Sequence, residues 1–382
     1  MNRWDILAST YNTTITLFFF LAAFLMFLIA YKGYKADNKY GGYSTLVSGL
    51  IFIFFGYYNE IFWILPYPYN GFMVWWFGII LGINFAFALI IQKLVKKMDS
   101  ENNDLESSSE QKSTPLRRFI DLMTAESPYK ESISIKMEAV RKSFHLAGLL
   151  FIFAYFWFIF PIPVAAHVNN GVIDFIQDTE WLYNILWGDI NRNYPYSKGD
   201  FQAVIDLTAF ALIATLVLAL ISDLIRVLWG AEYSLFNFLT RAVLRNKEFN
   251  ASGPQIYLVT GVIFSYLLYT LGLVNILIVT AATLIACFSD ALAALIGRRF
   301  GKHQITCIGG DMKSWEGFIA GAGSAFIIGL IVGPLGAIIC AIIFFLLDYF
   351  PVKIADNLLN PILISIGLGI FFDLTGLPIG WI

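Results

Sequence analysis

The sequence predicts an all-α polytopic membrane protein with about ten transmembrane helices, and its composition is the first support for this fold class. The chain is 58% hydrophobic and 17% aromatic, and only 14% of its residues are charged. Its mean hydropathy is +0.70. A soluble domain carries about 25% charged residues, so this composition indicates that lipid surrounds much of the surface. The net charge of −2 gives no reason to expect nucleic-acid binding.

The second support is a series of apolar stretches that are long enough to cross the hydrocarbon core, which takes about 20 helical residues. The ten stretches lie near residues 13–31, 43–65, 72–92, 144–163, 203–225, 256–272, 274–296, 316–332, 334–350 and 358–375. Tight turns at Gly272 and at Gly333–Pro334 separate two pairs of adjacent spans.

The third support is the distribution of lysine and arginine, which are enriched in cytoplasmic loops. If the loop around residues 32–39 is cytoplasmic, ten alternating spans place both termini outside. Of the 25 Lys and Arg residues, three (Arg3, Arg192 and Lys198) then lie outside and the other 22 lie inside. We therefore expect every motif described below to lie on the cytoplasmic face.

A polar segment divides the chain into three parts. Residues 99–114 (DSENNDLESSSEQKST) have the low hydrophobicity typical of a disordered linker. Residues 116–123 follow with an amphipathic pattern that predicts a helix at the membrane interface, the alternative being a solvated tether without function. The predicted parts are an N-terminal three-span module (1–97), a cytoplasmic linker (98–137) and a seven-span domain (138–382) that contains the informative motifs.

Charged residues open the fourth predicted span. Glu138, Arg141 and His145 share one face of a helix, and Lys142 lies beside Glu138. This patch predicts a site for phosphate groups, with His145 at the depth of a lipid hydroxyl. A basic juxtamembrane anchor with a hydrogen-bonded histidine is the alternative.

Polar residues also follow the fifth predicted span. Asp223 and Arg226 are three residues apart, which a simple ion pair explains. Such a pair does not account for Arg241, Arg245 and Glu248, which predict a polar cytoplasmic loop.

Asp290, at the end of the seventh predicted span, is the most informative carboxylate. An ionised Asp in an apolar helix costs about 2.5–3.5 kcal/mol on insertion scales and therefore needs a counter-ion. Hydrated Mg²⁺ is commonly bound by one or two carboxylates, and Arg298 is the alternative partner. Asp356 and Asn357, at the start of the tenth span, could complete a metal site with Asp290, although Asp356 also suits an ordinary helix N-terminus.

The loop between the seventh and eighth spans combines cationic side chains with glycines. These residues are Arg298, Arg299, Lys302, His303, Gly309, Gly310 and Lys313. Glycines let backbone N–H groups approach phosphate oxygens, and Lys313 and Ser314 precede a helix whose N-terminus favours an anion. Met312 stands where a Walker P-loop requires its last glycine, so a nucleotide site here must be built from helix ends.

In order and sidedness, these residues resemble the membrane family of CTP-dependent lipid-alcohol kinases. That family includes dolichol kinase, phytol kinase and the yeast-type diacylglycerol kinase, and it is related to phosphatidate cytidylyltransferase. The resemblance covers roughly residues 138–375 and leaves out the first three spans. Its parts are Arg141-Lys142 with His145, Arg245 and Glu248 before Gly253, Asp290 with Ala293, Gly297 and Gly301, Lys313-Ser314 with Glu316-Gly317, and Asp356-Asn357-Leu358 before Pro361.

The sequence departs from the kinase pattern at two positions. Ser289 stands where the kinases often carry glycine, and Asp348 stands where a glutamate is common. The segment 313–319 also resembles the Lys-Thr-Trp-Glu-Gly motif of cytidylyltransferases. No histidine follows His303, however, so the His-Gly-Gly and Asp-Arg-x-Asp element that closes those enzymes is missing.

The resemblance implies a kinase that transfers the γ-phosphate of CTP, with Mg²⁺, to the terminal hydroxyl of an isoprenoid alcohol in the bilayer. The hypothesis assigns catalysis to Asp290, Lys313 and His145, the metal to Asp290, Asp356 and Asn357, and nucleotide contacts to Arg141, Lys142, Arg245, Arg298, Arg299, Lys302, His303, Gly309, Gly310 and Ser314. The alternatives are a cytidylyltransferase that forms a CDP-activated lipid and a carrier or channel that is not an enzyme.

Overall fold

The computed structural model describes most of the predicted spans and the segments that connect them. The described residues are 3–66, 69–103, 115–124, 139, 142–143, 171, 174, 178, 181, 200–235, 237, 250–307, 312–350 and 352–380. Most of these residues are helical, as the apolar spans predict.

Four helices form the first part of the described chain. They are α1 (Arg3–Lys35), α2 (Lys39–Phe62), α3 (Tyr69–Asn103) and α4 (Pro115–Thr124). Helix α3 includes residues 99–103, so the prediction that these five residues belong to a disordered linker is wrong. A helix gains one backbone hydrogen bond with each added residue, and polar composition alone does not end it.

The second part begins with α5 (Asp200–Leu228) and α6 (Pro254–Thr270). A continuous helical segment follows, made of α7 (Ile276–Leu284), a π-helical turn (Ile285–Ser289) and α8 (Asp290–Phe300). Strands β1 (Gln304–Thr306) and β2 (Met312–Ser314) pair antiparallel, and α9 (Trp315–Gly329), α10 (Pro334–Tyr349) and α11 (Asp356–Thr375) complete the fold. The hairpin is a small departure from the predicted all-α class.

Helix boundaries follow from local sequence. The side chains of Asn38 and Asn275 cap α2 and α7 by accepting hydrogen bonds from backbone N–H groups two or three residues later. Pro254 and Pro334 lie at the starts of α6 and α10, where a missing N–H group costs nothing. Gly376 ends α11 with a left-handed φ of 62°.

Seven of the described helical segments are long and apolar enough to cross a membrane, so the chain is an α-helical polytopic membrane protein. Residues 334–349 form a shorter apolar helix. The predicted span 144–163 lies outside the described residues, and the total of ten remains a prediction.

The three N-terminal helices and the later helices share one hydrophobic core. Phe19 from α1, Phe52 from α2, Leu216 from α5 and Ile256 from α6 are all fully buried in the same cluster. Helix α4 also packs against these helices, because the Phe119 ring lies 6.3 Å from the ring of Phe87 in α3. A helix thus exists at this position and contacts a transmembrane helix, and its location at the membrane interface stays a prediction.

Contacts between helix ends group the connecting segments at two ends of the bundle. At one end, Lys32 Nζ donates to the Val227 carbonyl, and Lys313 Nζ pairs with Asp348. We call this end, with its described segments 32–39, 226–230, 250–253, 298–307, 312–314, 348–350 and 352–356, the basic end. At the opposite end the Tyr58 hydroxyl lies 2.5 Å from the Thr270 hydroxyl.

Candidate functional site: a charged cluster at the basic end

Five charged side chains from separate parts of the chain form two ion pairs and interact electrostatically next to the basic end, and we call them the charged cluster. They are Lys142, Asp290, Lys313, Asp348 and Asp356. Each comes from a different helix or strand, so only the folded protein brings them together. The cluster includes Asp290, Lys313 and Asp356, which the sequence pattern predicts to lie side by side.

Asp290 forms an ion pair with Lys142. The Lys142 side chain is only 4% exposed, and that of Asp290 is 22% exposed. Burial of this kind requires a partner for each charge, because transfer of an isolated ion from water is very costly. The sequence offered Arg298 as the alternative to Mg²⁺ for this role, and the structure shows Lys142 as a partner from the chain itself.

The helix that carries Asp290 continues beyond it, so the prediction that Asp290 closes its span is wrong. The span runs from Ile276 to Phe300 without a break. The ten residues after Asp290 begin with the apolar run ALAALI, and Arg298 and Arg299 stabilise the helix C-terminus. Asp290 therefore lies inside the helical segment, well away from its end.

A π-helical turn, Ile285–Ser289, precedes Asp290 directly. Such a turn inserts one extra residue and changes the face of the helix that the following residues occupy; π-turns frequently occur at functional sites. The buried Ser289 hydroxyl lies 2.9 Å from the Ser324 hydroxyl of α9, which fixes this part of the helix. The turn thus helps to determine the direction of the Asp290 carboxylate.

Lys313 is placed by the β-hairpin, in which it lies opposite Ile305. Its Nζ donates to Asp348 Oδ1 at 2.5 Å and to the Asp348 backbone carbonyl at 2.7 Å. Burial alone would lower the pKa of Lys313, but Asp348, with a smaller contribution from Asp356, raises that pKa above its ordinary value. The ammonium group is therefore charged at neutral pH.

Asp356 is the first residue of α11 and is half-buried. It interacts electrostatically with Asp290 and Lys313, yet no cation among the described residues lies within ion-pair distance of it. The charged cluster contains three carboxylates and two ammonium groups, and so carries one excess negative charge when all are ionised. A divalent cation is a suitable partner for such a group.

Pro361 affects the backbone hydrogen bonding of the first turns of α11. Pro361 lies inside α11 and has no N–H group, so the Asn357 carbonyl lacks its usual helical donor four residues later. Carbonyl and carboxylate oxygens are the ligands that Mg²⁺ accepts, and Mg²⁺ keeps several waters. The predicted ligands Asp290, Asp356 and Asn357 carry side-chain oxygens of this kind, and a shared Mg²⁺ ion stays a prediction. In the described ranges, no three His, Cys, Asp or Glu side chains are grouped to hold a metal ion.

Ser314 has a structural role in addition to its predicted contact with nucleotide. Its hydroxyl accepts a hydrogen bond from the Gly317 N–H group at 3.2 Å and thereby caps α9. A Cβ on Gly297 would lie 3.0 Å from the Ser314 Oγ, and one on Gly317 would lie 2.9 Å from the Ala293 carbonyl. The glycines shared with the kinase pattern thus allow α8 and α9 to pack closely.

The other predicted nucleotide ligands of this region are exposed. Arg298, Arg299, Lys302 and His303 all lie at the surface, and the Arg299 guanidinium lies over the Phe300 ring at 5.2 Å. The His303 Nδ1 lies 2.7 Å from Glu316 Oε1. No contact given by the structure joins Arg299, Lys302 or His303 to the charged cluster, so their role in binding nucleotide stays a prediction.

Five predicted site residues fall outside the described residues: Arg141, His145, Arg245, Gly309 and Gly310. The same holds for Glu138, Arg241 and Glu248.

Asp223 and Arg226 form the ion pair that their spacing predicts, and both side chains are fully buried. The second Asp223 oxygen accepts a hydrogen bond from the Gly253 N–H group at 2.5 Å, and an Arg226 nitrogen donates to the Ala251 carbonyl at 2.7 Å. The pair therefore holds in place the segment that leads into α6. The hydrogen bonds that it forms lie in the protein interior.

The sequence analysis noted Asp348 only as a position where the kinase pattern commonly carries a glutamate, and it did not assign Asp348 to the site. A further signal was available: Asp348 is the only charged residue in α10, just as Asp290 is the only acidic residue between Ile276 and Phe300. An ionised group in an apolar helix is energetically costly and needs a counter-ion, and this argument applies equally to both residues.

Comparison with known proteins gives no match: no protein-family model, curated protein or solved structure matches this chain.

Proposed function

We propose that the protein is a kinase that transfers the γ-phosphate of CTP to a membrane isoprenoid alcohol of the dolichol or phytol type. The observation that carries this proposal is the electrostatic interaction of Asp290, Lys313 and Asp356 in one charged cluster next to the basic end. The resemblance of residues 138–375 to CTP-dependent lipid-alcohol kinases supports the choice of nucleotide and acceptor.

The chemistry of phosphoryl transfer suits a site of this composition. The reaction depends mainly on the positioning of the reactants and on neutralisation of phosphate charge. Asp290 and Asp356, with Asn357, would hold Mg²⁺, which offsets charge on the phosphate oxygens when it is bound. Lys313 and Lys142 are the ammonium groups closest to these carboxylates and would bind the phosphates.

In the proposed step, the acceptor hydroxyl oxygen forms a bond to the γ-phosphorus of CTP. The bond between that phosphorus and the β–γ bridging oxygen breaks, and CDP leaves with the bond electrons. The hydroxyl proton passes to His145 or to a carboxylate of the charged cluster. The apolar tail of the alcohol stays in the bilayer, and only its head group enters the polar layer at the basic end.

Labelled CTP tests the reaction directly. Purified protein is incubated with Mg²⁺ and either γ-labelled or α-labelled CTP, together with polyprenols, phytol, diacylglycerol or phosphatidate. We expect the γ label to enter an isoprenoid alcohol and CDP to be released. Entry of the α label into phosphatidate with release of pyrophosphate would instead identify a cytidylyltransferase, and failure of both labels to enter any lipid would favour a carrier or channel.

We expect Asp290→Asn to lower CTP-dependent phosphorylation by about 100-fold or more, because the variant removes a charge that the metal and phosphates require. Asp373→Asn is the matched control, since Asp373 is an exposed aspartate near the other end of α11. Both variants should insert and purify like the wild type. Activity of Asp290→Asn within a fewfold of the control would contradict the metal role.

A further inference from the structure

Helix α2, from the N-terminal part of the chain, contacts the start of the helix that carries Asp356. The Ser44 hydroxyl oxygen accepts a hydrogen bond from the Ala355 N–H group at 2.8 Å. Both residues are buried, and Ala355 immediately precedes Asp356. A side chain 311 residues away in sequence therefore determines where the backbone of α11 begins.

The start of α11 needs such an external acceptor. The first N–H groups of any helix lack partners within the helix, and a polar side chain just before the helix commonly accepts from one of them. Ala355 precedes α11 and forms no side-chain cap. Ser44 also donates its own proton to the Tyr40 carbonyl at 2.8 Å, so its hydroxyl is oriented with a lone pair available to Ala355.

A second set of contacts from α2 supports the same turn. The Thr45 hydroxyl lies 2.9 Å from the hydroxyl of Tyr257 in α6, and both residues are buried. Tyr257 packs in one apolar cluster with Ala355 and Leu358, the residues on either side of Asp356 and Asn357. The first turn of α11 is thus held from both α2 and α6.

We propose that Ser44 is a positioning residue for the candidate site: it fixes the first turn of α11 and thereby places Asp356 and Asn357 opposite Asp290. This inference rests on the proposed function. Ser44 is fully buried and does not contact the charged cluster, so its effect passes through the Ala355 backbone. The inference gives the N-terminal helices, which the resemblance to lipid-alcohol kinases leaves out, a role in the reaction.

Hydrogen–deuterium exchange tests the structural step without any activity measurement. Ser48→Ala is the matched control for Ser44→Ala, because Ser48 is also fully buried in α2 and its hydroxyl donates only to the Ser44 carbonyl of the same helix. We expect Ser44→Ala to speed exchange in the peptide that covers residues 355–360 by about fivefold, the factor that corresponds to one ordinary hydrogen bond. Equal exchange in the two variants would overturn the inference.

The functional step is tested by the Mg²⁺ requirement of CTP-dependent phosphorylation. We expect Ser44→Ala to raise the Mg²⁺ concentration for half-maximal rate by about fivefold, since a loosened first turn weakens the metal site, and we expect Ser48→Ala to leave it unchanged. Ser44→Thr, which keeps the hydroxyl, should restore the wild-type requirement. If Ser44 had only a structural role, Ser44→Ala would lower the amount of folded protein and leave the Mg²⁺ requirement unchanged. That result would overturn the inference.

The two proposals fail in different ways. If Asp290→Asn abolishes activity while Ser44→Ala and Ser48→Ala have the same Mg²⁺ requirement, the positioning role is wrong and the kinase assignment stands. If the wild-type protein transfers no phosphate from CTP, the kinase assignment is wrong, and the positioning role falls with it whatever the exchange data show.

Discussion

Lys313 lies beside carboxylates that favour its charged form. Asp348 supplies both a side-chain and a backbone acceptor, and Asp356 adds a weaker attraction. Together these groups raise the pKa of Lys313 although burial opposes the shift. A phosphate-binding lysine benefits from this arrangement, because its positive charge persists into alkaline solution.

We expect Asp348→Asn to narrow the pH range of activity on its alkaline side. The pKa of Lys313 is raised mainly by Asp348 against the opposing effect of burial, so loss of the carboxylate lowers that pKa and the ammonium deprotonates at lower pH. The measurement is the pH dependence of CTP-dependent phosphorylation between neutral and alkaline pH.

Lys313→Arg provides the control for this prediction, since a guanidinium stays protonated over the whole range. In Lys313→Arg the fall in activity at alkaline pH (the alkaline limb) should be absent or shifted to much higher pH. This should hold with or without Asp348→Asn. An alkaline limb at the same pH in wild type and Asp348→Asn would show that Lys313 does not govern it.

At the scale of single residues, the sequence indicated which charged residues belong to the candidate site more accurately than it indicated their ion-pair partners. The energetic cost of a carboxylate in an apolar helix points to Asp290 from composition alone. Its partner Lys142 lies 148 residues earlier, and the Lys313–Asp348 pair joins a hairpin to a helix. Such pairings depend on helix rotation and tertiary packing, which local pattern does not contain.

Among the elements, α6 and α11 approach each other most closely at a glycine. A Cβ on Gly261 would lie 2.6 Å from the Leu358 carbonyl oxygen and 2.7 Å from the Pro361 ring. The Ser265 hydroxyl, one turn later, donates to the Pro361 carbonyl at 2.7 Å. The contact lets α6 support the first two turns of α11, where Asp356 and Asn357 lie.

We expect Gly261→Ala to destabilise the protein by about 1–3 kcal/mol, the usual cost of an extra group in a packed interior. Gly82→Ala in α3 is the control, because a Cβ there meets no atom within 4 Å. That control should be neutral or stabilising by up to about 1 kcal/mol through helix propensity. Thermal unfolding in detergent measures both variants, and equal midpoints would contradict the close contact.

Hydropathy predicted the seven long apolar helices of the described residues, because burial in lipid demands such helices. The predicted stretch near 274–296 is indeed part of one span, Ile276–Phe300. The π-helical turn at Ile285–Ser289 and the β-hairpin were not predictable in this way. Both depend on contacts with neighbouring helices, and neither changes the apolar character of the segment that contains it.

In the whole molecule, the charged cluster adjoins the basic end, which contains Lys313, Asp348 and Asp356 together with the exposed Lys35, Lys39 and Lys353. Lysine-rich loops mark the cytoplasmic side of membrane proteins, so a cytoplasmic site is the expectation for this arrangement. CTP would then reach the charged cluster from the compartment in which nucleotides are made.

Cysteine labelling tests this orientation. We expect Lys35→Cys and Lys353→Cys to react with a membrane-impermeant maleimide only from the cytoplasmic side, and Leu273→Cys, in the turn at the opposite end, to react only from the outside. Cys287, Cys307 and Cys340 are buried, so the background should be low. If Lys35→Cys and Lys353→Cys reacted from different sides of the membrane, the two residues would not lie at the same end of the bundle.

The hydrogen bond between Ser44 and Ala355 also has a consequence for biosynthesis. Helix α2 leaves the ribosome more than 300 residues before its partner at the start of α11. Until α11 has been inserted, the Ser44 hydroxyl has no partner at Ala355 and the cluster around Tyr257 lacks Leu358 and Ile362. Packing around Ser44 and Tyr257 is therefore incomplete until α11 is in place, and truncation before α11 should yield a species that membrane quality control recognises and degrades.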